Sequence, residues 1–272
     1  MDFLEKWNPS NLLLHKNFVI SLIGQKRCGK SVMLQHLLKF VSKHTNFDLV
    51  ISFSGTRLCC PEIHSILEES FDPRFMFSKF NSRFLLTLLD QQEQLISQGK
   101  TRKVLLLFDD CDIENNEDRN TLGYLATRHR HFHISMISNA VRYSYIHKSY
   151  RSATDVLFLF TIPMYSDRKM LLLEHAENRQ LAGFAMRNLK PYESLVIQSG
   201  FKQKLFSYRC TYGENLNEVC EIETSEPPEN PNGATQDQMK TPVLNNEDSK
   251  LEFDSSQIVS SIDEFEQEDR VL

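Results

Sequence analysis

The sequence predicts an α/β fold with a central, mostly parallel β-sheet flanked by helices. Short apolar runs without polar alternation recur over the first 210 residues, as is typical of strands covered on both faces. Segments with helical periodicity separate these runs, and such alternation favours a parallel sheet with right-handed crossovers. A hydrophobic fraction of 40% and a charged fraction of 25% exclude a coiled-coil rod, a collagen and a wholly disordered chain.

The elements follow from composition and periodicity. The first strand is predicted over 18–23 (FVISLI), because it is rich in β-branched residues and a glycine follows it. The segment 30–44 has a helical pattern with four apolar residues on its inward face, Val32, Leu34, Leu37 and Leu38. Further strands are predicted over 48–54, 103–109, 133–138, 155–161, 194–198 and 204–210. Further helices are predicted over 62–70, 83–97, 121–130, 167–177 and 180–188.

Two regions differ in composition: a P-loop-type domain over 1–212 and a disordered acidic tail over 213–272. The tail is rich in Pro, Asn and acidic residues and poor in aromatic ones, so it cannot bury enough apolar surface to fold alone. It carries sixteen acidic and three basic side chains, a formal charge of −13, whereas the first 212 residues carry 28 basic and 20 acidic ones, or +8. A basic body suggests a polyanionic partner.

The sequence also disfavours several classes of protein. Apolar runs such as 104–108 are far shorter than a membrane span, and the first residues, MDFLEKW, lack the apolar stretch of a secretory signal. The six cysteines include the adjacent pair Cys59 and Cys60 and form no C-x-x-C motif, which disfavours a disulfide framework and a zinc site. We therefore expect an intracellular protein with reduced thiols and no membrane contact.

A phosphate-binding loop is predicted directly after the first strand. The residues fit the P-loop pattern G-x-x-x-x-G-K-[ST], between a buried strand and an amphipathic helix as the mechanism requires. Backbone N–H groups of such a loop surround phosphate oxygens, and the helix N-terminus favours their charge. Lys30 is expected to reach the β- and γ-phosphates of ATP, and Ser31 to ligate Mg²⁺. The predicted nucleotide-binding residues are Gly24, Gln25, Lys26, Arg27, Cys28, Gly29, Lys30 and Ser31.

Two acidic residues end the strand predicted over 103–109. Asp109 is expected to hold Mg²⁺ through water, and Asp110 to act as the general base that polarises the attacking water. A structural alternative is that these acids cap the next helix, and it is the favoured interpretation for Asp112. Asn139 ends the next predicted strand, where it either senses the γ-phosphate and positions the water or simply forms a turn.

The spacing between the P-loop lysine and the first acid distinguishes classes of P-loop protein. Lys30 and Asp109 are 79 residues apart, and a whole predicted strand, 48–54, lies between them in the sequence. Small nucleotide kinases lack the second acid beside the Mg²⁺-binding acid. The acid pair and the intervening strand therefore favour an ATPase that activates water.

These residues resemble the genome-packaging ATPases of large DNA viruses. This is the poxvirus-type packaging ATPase of the FtsK–HerA group of P-loop motors, which also occurs in virophages and polinton-like elements. The matching stretches are LIGQKRCGKS, DLVISFSGT, LLLFDD and the strand RHFHISMIS, which is similar to the R-H-x-x-I-S strand of the family. The stretch YRSA and the strand DVLFLF also fit, so the resemblance covers residues 15–210. Relatives carry Gln where this chain has Asn139, and the acidic tail lies outside the family pattern.

The resemblance implies a ring-forming motor that hydrolyses ATP to move double-stranded DNA into a capsid. In such rings an arginine of the neighbouring subunit stabilises the transition-state charge, and Arg130 and Arg151 are the candidates. The basic body is consistent with a surface that faces DNA. A capsid or portal protein is a possible further partner, and the host cell's virus assembly site is the expected location.

Two other functions stay open. A P-loop nucleotide or nucleoside kinase would transfer the phosphoryl group to a small acceptor and would be a monomer or dimer. A nucleotide-binding scaffold for particle assembly would bind ATP without turnover, and Asn139 is the feature that favours it.

Overall fold

The computed structural model describes residues 3–14, 16–55, 65, 67, 75–111, 113, 115–200 and 203–210. All of them lie in the first of two units into which the chain divides, Met1–Glu221. The predicted helix over 62–70 lies almost entirely outside the described residues, and the predicted tail over 213–272 lies wholly outside them. Cys59, Cys60 and Cys220 lie outside them as well, whereas Cys28, Cys111 and Cys210 form no disulfide bond.

Eight strands and six helices form the described part of the domain. The strands are β1 (Val19–Ile23), β2 (Leu49–Ser54), β3 (Met76–Phe77), β4 (Val104–Asp109), β5 (Ile134–Ala140), β6 (Val156–Leu159), β7 (Glu193–Gln198) and β8 (Lys204–Arg209). The helices are α1 (Lys30–His44), α2 (Ser82–Ser97), α3 (Asn116–Arg128), α4 (Lys148–Ala153), α5 (Tyr165–His175) and α6 (Arg179–Arg187). Two short 3₁₀ helices cover Pro9–Leu14 and Tyr143–Tyr145.

The strands form one sheet in the order β3-β2-β4-β5-β1-β6-β7-β8. The first six strands in chain order run parallel, and β7 and β8 add an antiparallel edge. The predicted α/β fold with a mostly parallel sheet is thus confirmed. β2, which separates β1 from β4 in the sequence, lies on the outer side of β4. The strand between β1 and β4 in space is β5, so the carboxyl ends of these three strands are neighbours.

The core occupies both faces of the sheet, and every residue of β1, β2 and β4 is buried. On one face α1 contributes Met33, Leu34 and Leu37 to a cluster that also contains Ile20 and Leu107 of the strands. On the other face Phe53 stacks on Phe108 with ring centroids 5.6 Å apart, and Phe84 of α2 packs against Phe53. This two-sided burial explains why the strands read as unbroken apolar runs.

The structure departs from the predictions at short elements and at element ends. β3 has two residues and α4 has six, which is too short for either to show a period in the sequence. α3 begins before residue 121, because the side chain of Asn115 accepts a 2.7 Å hydrogen bond from the N–H of Asp118 and caps it. The strand predicted to start at His133 begins at Ile134, since His133 has a φ of 54°. Within the described ranges, no helix is long and apolar enough to cross a membrane.

Candidate active site

The predicted P-loop joins the carboxyl end of β1 to the start of α1. The N–H of Gly24 donates to the carbonyl of Ala140 at 3.3 Å, and the N–H of Gln25 donates to the carbonyl of Thr161 at 2.9 Å. These two bonds tie the loop to the segments that end β5 and follow β6. The loop therefore stands over the middle of the sheet, where the neighbouring strands end.

Both glycines of the motif are required by close contacts. A Cβ on Gly24 would lie 2.6 Å from Cβ of Phe160. Gly29 has a φ of 108°, and a Cβ there would lie 2.9 Å from Cδ1 and 3.2 Å from Cα of Tyr192. Only glycine fits these positions without a shift of the backbone.

The N-terminus of α1 has backbone N–H groups that make no helical hydrogen bond. Gly29 is its N-cap and no side chain caps the helix. The first helical bond runs from the N–H of Met33 to the carbonyl of Gly29, so the N–H groups of the three preceding residues have no helical acceptor. Such donors, together with the helix dipole, bind phosphate.

Lys30 lies inside the loop. Its side chain is 7% exposed, and Nζ donates to the carbonyl oxygens of Gly24 and Gln25 at 2.8 and 2.9 Å. Burial lowers the pKa of Lys30, while the carboxylates of Asp110 and Asp109 act on it in the opposite direction. Both acids are therefore close enough to the loop to interact with this ammonium group.

The other loop residues surround the same cradle. Gln25, Lys26, Arg27 and Ser31 are exposed, and Cys28 is half-buried. Burial raises the pKa of the Cys28 thiol, and the charge of Lys30 opposes this effect. Cys28 is thus a neutral thiol at neutral pH.

Asp109 is the last residue of β4 and is 2% exposed. It is in register with Ser54 of β2 and Asn139 of β5. Oδ2 accepts a hydrogen bond from Oγ of Ser54 at 3.2 Å, and Oδ1 accepts one from Nδ2 of Asn139 at 2.6 Å. Side chains from both neighbouring strands therefore fix the orientation of this buried carboxylate.

Asp110 and Asn139 complete the constellation. Asp110 has a φ of 47°, and its N–H donates to the carbonyl of Asn139 at 3.0 Å. A left-handed conformation is uncommon for a residue other than glycine and is concentrated at functional sites. The Oδ1 of Asn139 is buried and has no hydrogen-bond partner among the described residues. A buried acceptor of this kind is expected to bind water or a ligand.

The donor set fits Mg²⁺. Ser31 in the first turn of α1 offers a hydroxyl, and Asp109 offers a carboxylate that is already fixed in place. Oxygen ligands of this type, few in number and supplemented by water and phosphate, are what Mg²⁺ uses in nucleotide sites. Among the described residues, no group of three or more His, Cys, Asp and Glu side chains could hold another metal.

Each of the two candidate arginines pairs with a carboxylate other than Asp109 and Asp110. Arg130 precedes β5 and so lies at the opposite, amino edge of the sheet, where its guanidinium pairs with Oδ1 of Asp155 at 2.7 Å. Arg151 donates to Oε1 of Glu174 at 3.0 Å and lies over the ring of Tyr143. A role of either arginine toward a neighbouring subunit stays a prediction.

Sequence reasoning missed two contributors to this site. Ser54 is the last residue of β2 and Asn139 the last but one of β5, so the same reasoning about strand ends could have identified Ser54. Tyr192 contacts the loop from a segment 163 residues after Gly29, and nothing in the local pattern indicates that contact.

No family model matches the sequence, and a search of curated proteins finds no relative. Solved structures do match. The DNA-packaging ATPase B204 of Sulfolobus turreted icosahedral virus superposes with a TM-score of 0.54 at 15% identity, over 70% of this chain and 96% of that one. The chain has the fold of a viral genome-packaging ATPase.

Two structures of the genome-packaging NTPase B204 from Sulfolobus turreted icosahedral virus 2 agree. The complex with sulfate has a TM-score of 0.51 at 15% identity and covers 73% of this chain and 98% of that one. The complex with AMP has a TM-score of 0.50 at 15% identity and covers 71% and 98%. The structural neighbours confirm the predicted P-loop NTPase fold and agree with the resemblance found in the sequence.

Proposed function

We propose that this chain is an ATP-hydrolysing motor that moves double-stranded DNA into a viral capsid. The observation that carries the proposal is the arrangement of Asp109, Asp110 and Asn139 at the edge of the sheet that bears the P-loop. A phosphate cradle beside two acids and a buried amide is suited to activating water against a γ-phosphate. The shared fold of the B204 packaging ATPases supports the packaging role.

ATP binding is assigned to the P-loop. The N–H groups at the start of α1 would surround the β- and γ-phosphates, and Lys30 would turn from the carbonyls of Gly24 and Gln25 toward them. Because Lys30 is buried, it contributes its charge in a place with little competing water.

Hydrolysis is assigned to Asp110. Its carboxylate would take the proton of the attacking water, and the free Oδ1 of Asn139 would accept a hydrogen bond that orients this water. Mg²⁺ held by Ser31 and Asp109 would neutralise charge on the phosphates. Ser54 and Asn139 keep the carboxylate of Asp109 in one orientation, so no reorganisation is needed during the reaction.

Double-stranded DNA is the partner that the charge of the chain supports, and a homo-oligomeric ring is the assembly that its fold supports. The formal charge of +8 over the first 212 residues supports attraction to the DNA backbone. In a ring, Arg130 is the better candidate for the neighbour's site, since its side chain is 62% exposed whereas that of Arg151 is 12% exposed. A capsid or portal protein would be the partner that recruits the ring.

The test is steady-state ATP hydrolysis with linear double-stranded DNA, with single-stranded DNA and without DNA. The variant Lys30→Ala serves as the background control. Stimulation by duplex DNA together with self-association supports the proposal. Turnover that is indifferent to DNA contradicts it and leads to a screen for phosphoryl acceptors, as for a kinase. ATP binding without turnover in any condition contradicts it in favour of a scaffold.

A further inference from the structure

We propose that Tyr192 forms the nucleobase subsite of this protein, with its ring stacked on the purine of the bound nucleotide. This inference deepens the proposed function, because it concerns how the same P-loop site recognises ATP. Tyr192 lies beside Gly29 of the loop, although the two residues are 163 positions apart in the sequence.

The sheet order determines where the base must lie. Asp109 ends β4 and Asp110 follows it, on one side of the P-loop strand β1, so the γ-phosphate must face that side. The triphosphate runs along the loop, and the base therefore lies on the other side of β1, above β6 and β7. Tyr192 directly precedes β7, at the same edge of the sheet as the loop.

The backbone of Tyr192 is held firmly beside the loop. Its carbonyl accepts a 3.0 Å hydrogen bond from the N–H of Cys210. The turn before it is closed by the N–H of Glu193, which donates to the carbonyl of Lys190, and by the N–H of Lys190, which donates to Oε2 of Glu193. The Cα from which the ring projects is thus held beside the loop before any ligand arrives.

The conformation and exposure of Tyr192 are unusual for a structural residue. It has a φ of 63°, which is disfavoured for an aromatic side chain, yet it is 42% exposed. Cδ1 of the ring lies 2.9 Å from the position that a Cβ of Gly29 would occupy. Strained residues of this kind are concentrated at ligand sites, and an aromatic face is the usual platform for a base.

The test compares two ligands that differ in whether they carry a base. Isothermal titration calorimetry gives the Kd of Mg-ATP and of Mg-tripolyphosphate for the full chain and its variants. Tyr192→Gly removes the ring and also suits the positive φ, so the loop is not strained by the change. Tyr192→Phe keeps the ring, and Tyr124→Ala removes a tyrosine of similar exposure, 44%, from the remote helix α3.

We expect Tyr192→Gly to weaken ATP binding about tenfold, as loss of one stacking contact does, and to leave tripolyphosphate binding unchanged. Tyr192→Phe and Tyr124→Ala should bind both ligands as the unmodified protein does. The inference is overturned if Tyr192→Gly keeps its affinity for ATP, or if both ligands weaken alike, because the ring would then only shape the loop. It is also overturned if the unmodified protein binds ATP no better than tripolyphosphate. DNA stimulation of turnover plays no part in these outcomes, so the proposed motor function succeeds or fails separately.

Discussion

The side-chain amide of Asn139 donates a 2.6 Å hydrogen bond to Oδ1 of Asp109 across the neighbouring strands β5 and β4. This bond uses the Nδ2 of Asn139 and leaves its buried Oδ1 without a partner among the described residues. One residue therefore orients the carboxylate expected to serve Mg²⁺ and presents an acceptor to the place where water would attack. The side chain of Asn139 is long enough for the first of these roles.

Replacing Asn139 tests this double role. Asn139→Ala should lower kcat for ATP hydrolysis about tenfold or more, because it removes both the bond to Asp109 and the water acceptor. Ser54→Ala is the matched control, since it removes the 3.2 Å bond to Oδ2 of the same carboxylate and leaves the amide of Asn139 in place. Single-turnover kinetics at saturating ATP would separate the chemical step from binding. Equal losses in the two variants would show that Asn139 does no more than hold Asp109.

Replacing Gly29 tests the geometry of the loop. Gly29→Ala should destabilise the protein by about 1–3 kcal/mol and abolish tight ATP binding, because its φ of 108° and its contact with Tyr192 both exclude a Cβ. Gly99→Ala is the control, since Gly99 has a φ of 72° but nothing within 4 Å of its Cβ position. Urea unfolding and ATP titration would measure both quantities. Equal losses of stability in the two variants, with ATP binding retained in both, would contradict the role given to Gly29 in shaping the loop.

The buried His129 predicts a loss of stability in acid. Its Nδ1 donates to the carbonyl of Ala126 at 3.0 Å, the residue is 4% exposed, and burial lowers its pKa. The unfolded chain, with an ordinary pKa of about 6.5, then binds the proton more readily than the folded one. The contribution of neutral His129 to the unfolding free energy is therefore complete above the pKa that this residue has in the unfolded chain. It is lost as the pH falls below that pKa.

Urea unfolding at pH 7.5 and 5.5 measures this effect. We expect His129→Asn, whose amide can replace the Nδ1–H donor, to show a smaller drop in unfolding free energy than the unmodified protein. His147 and His175 also have pKa values lowered by burial and contribute the same sign in both proteins. An identical drop in unfolding free energy in the two proteins would mean that His129 does not contribute to the loss of stability in acid.

The sequence predicted the parallel strands, α1 and the P-loop closely, because each is encoded locally. Buried parallel strands read as apolar runs, and the P-loop glycines stand at a fixed spacing between a strand and a helix. The partners of Asp109 could be predicted only in part, since the register of β2, β4 and β5 depends on the whole sheet. Asn139 was identified from its position at a strand end, whereas Ser54 occupies the same kind of position and was not.

The remaining features depend on long-range packing that a single sequence does not reveal. Tyr192 lies beside Gly29 because β7 runs antiparallel to β6, which puts the residue before β7 at the edge of the sheet that bears the P-loop. Arg130 is a candidate only through the family resemblance. It lies at the far edge of the sheet because the residues before a strand and those after it are separated by the full length of the strand.

The role of Asp110 as general base is tested most directly by the Asp110→Asn variant, assayed for DNA-stimulated ATP hydrolysis and for ATP binding. The matched control is Asp90→Asn, which changes an exposed residue of α2. If Asp110 is the general base, its variant should lose at least about 100-fold in stimulated turnover and still bind ATP, while Asp90→Asn keeps full activity. DNA-stimulated turnover at the unmodified rate in Asp110→Asn would contradict the assignment of this residue and of the site built around it.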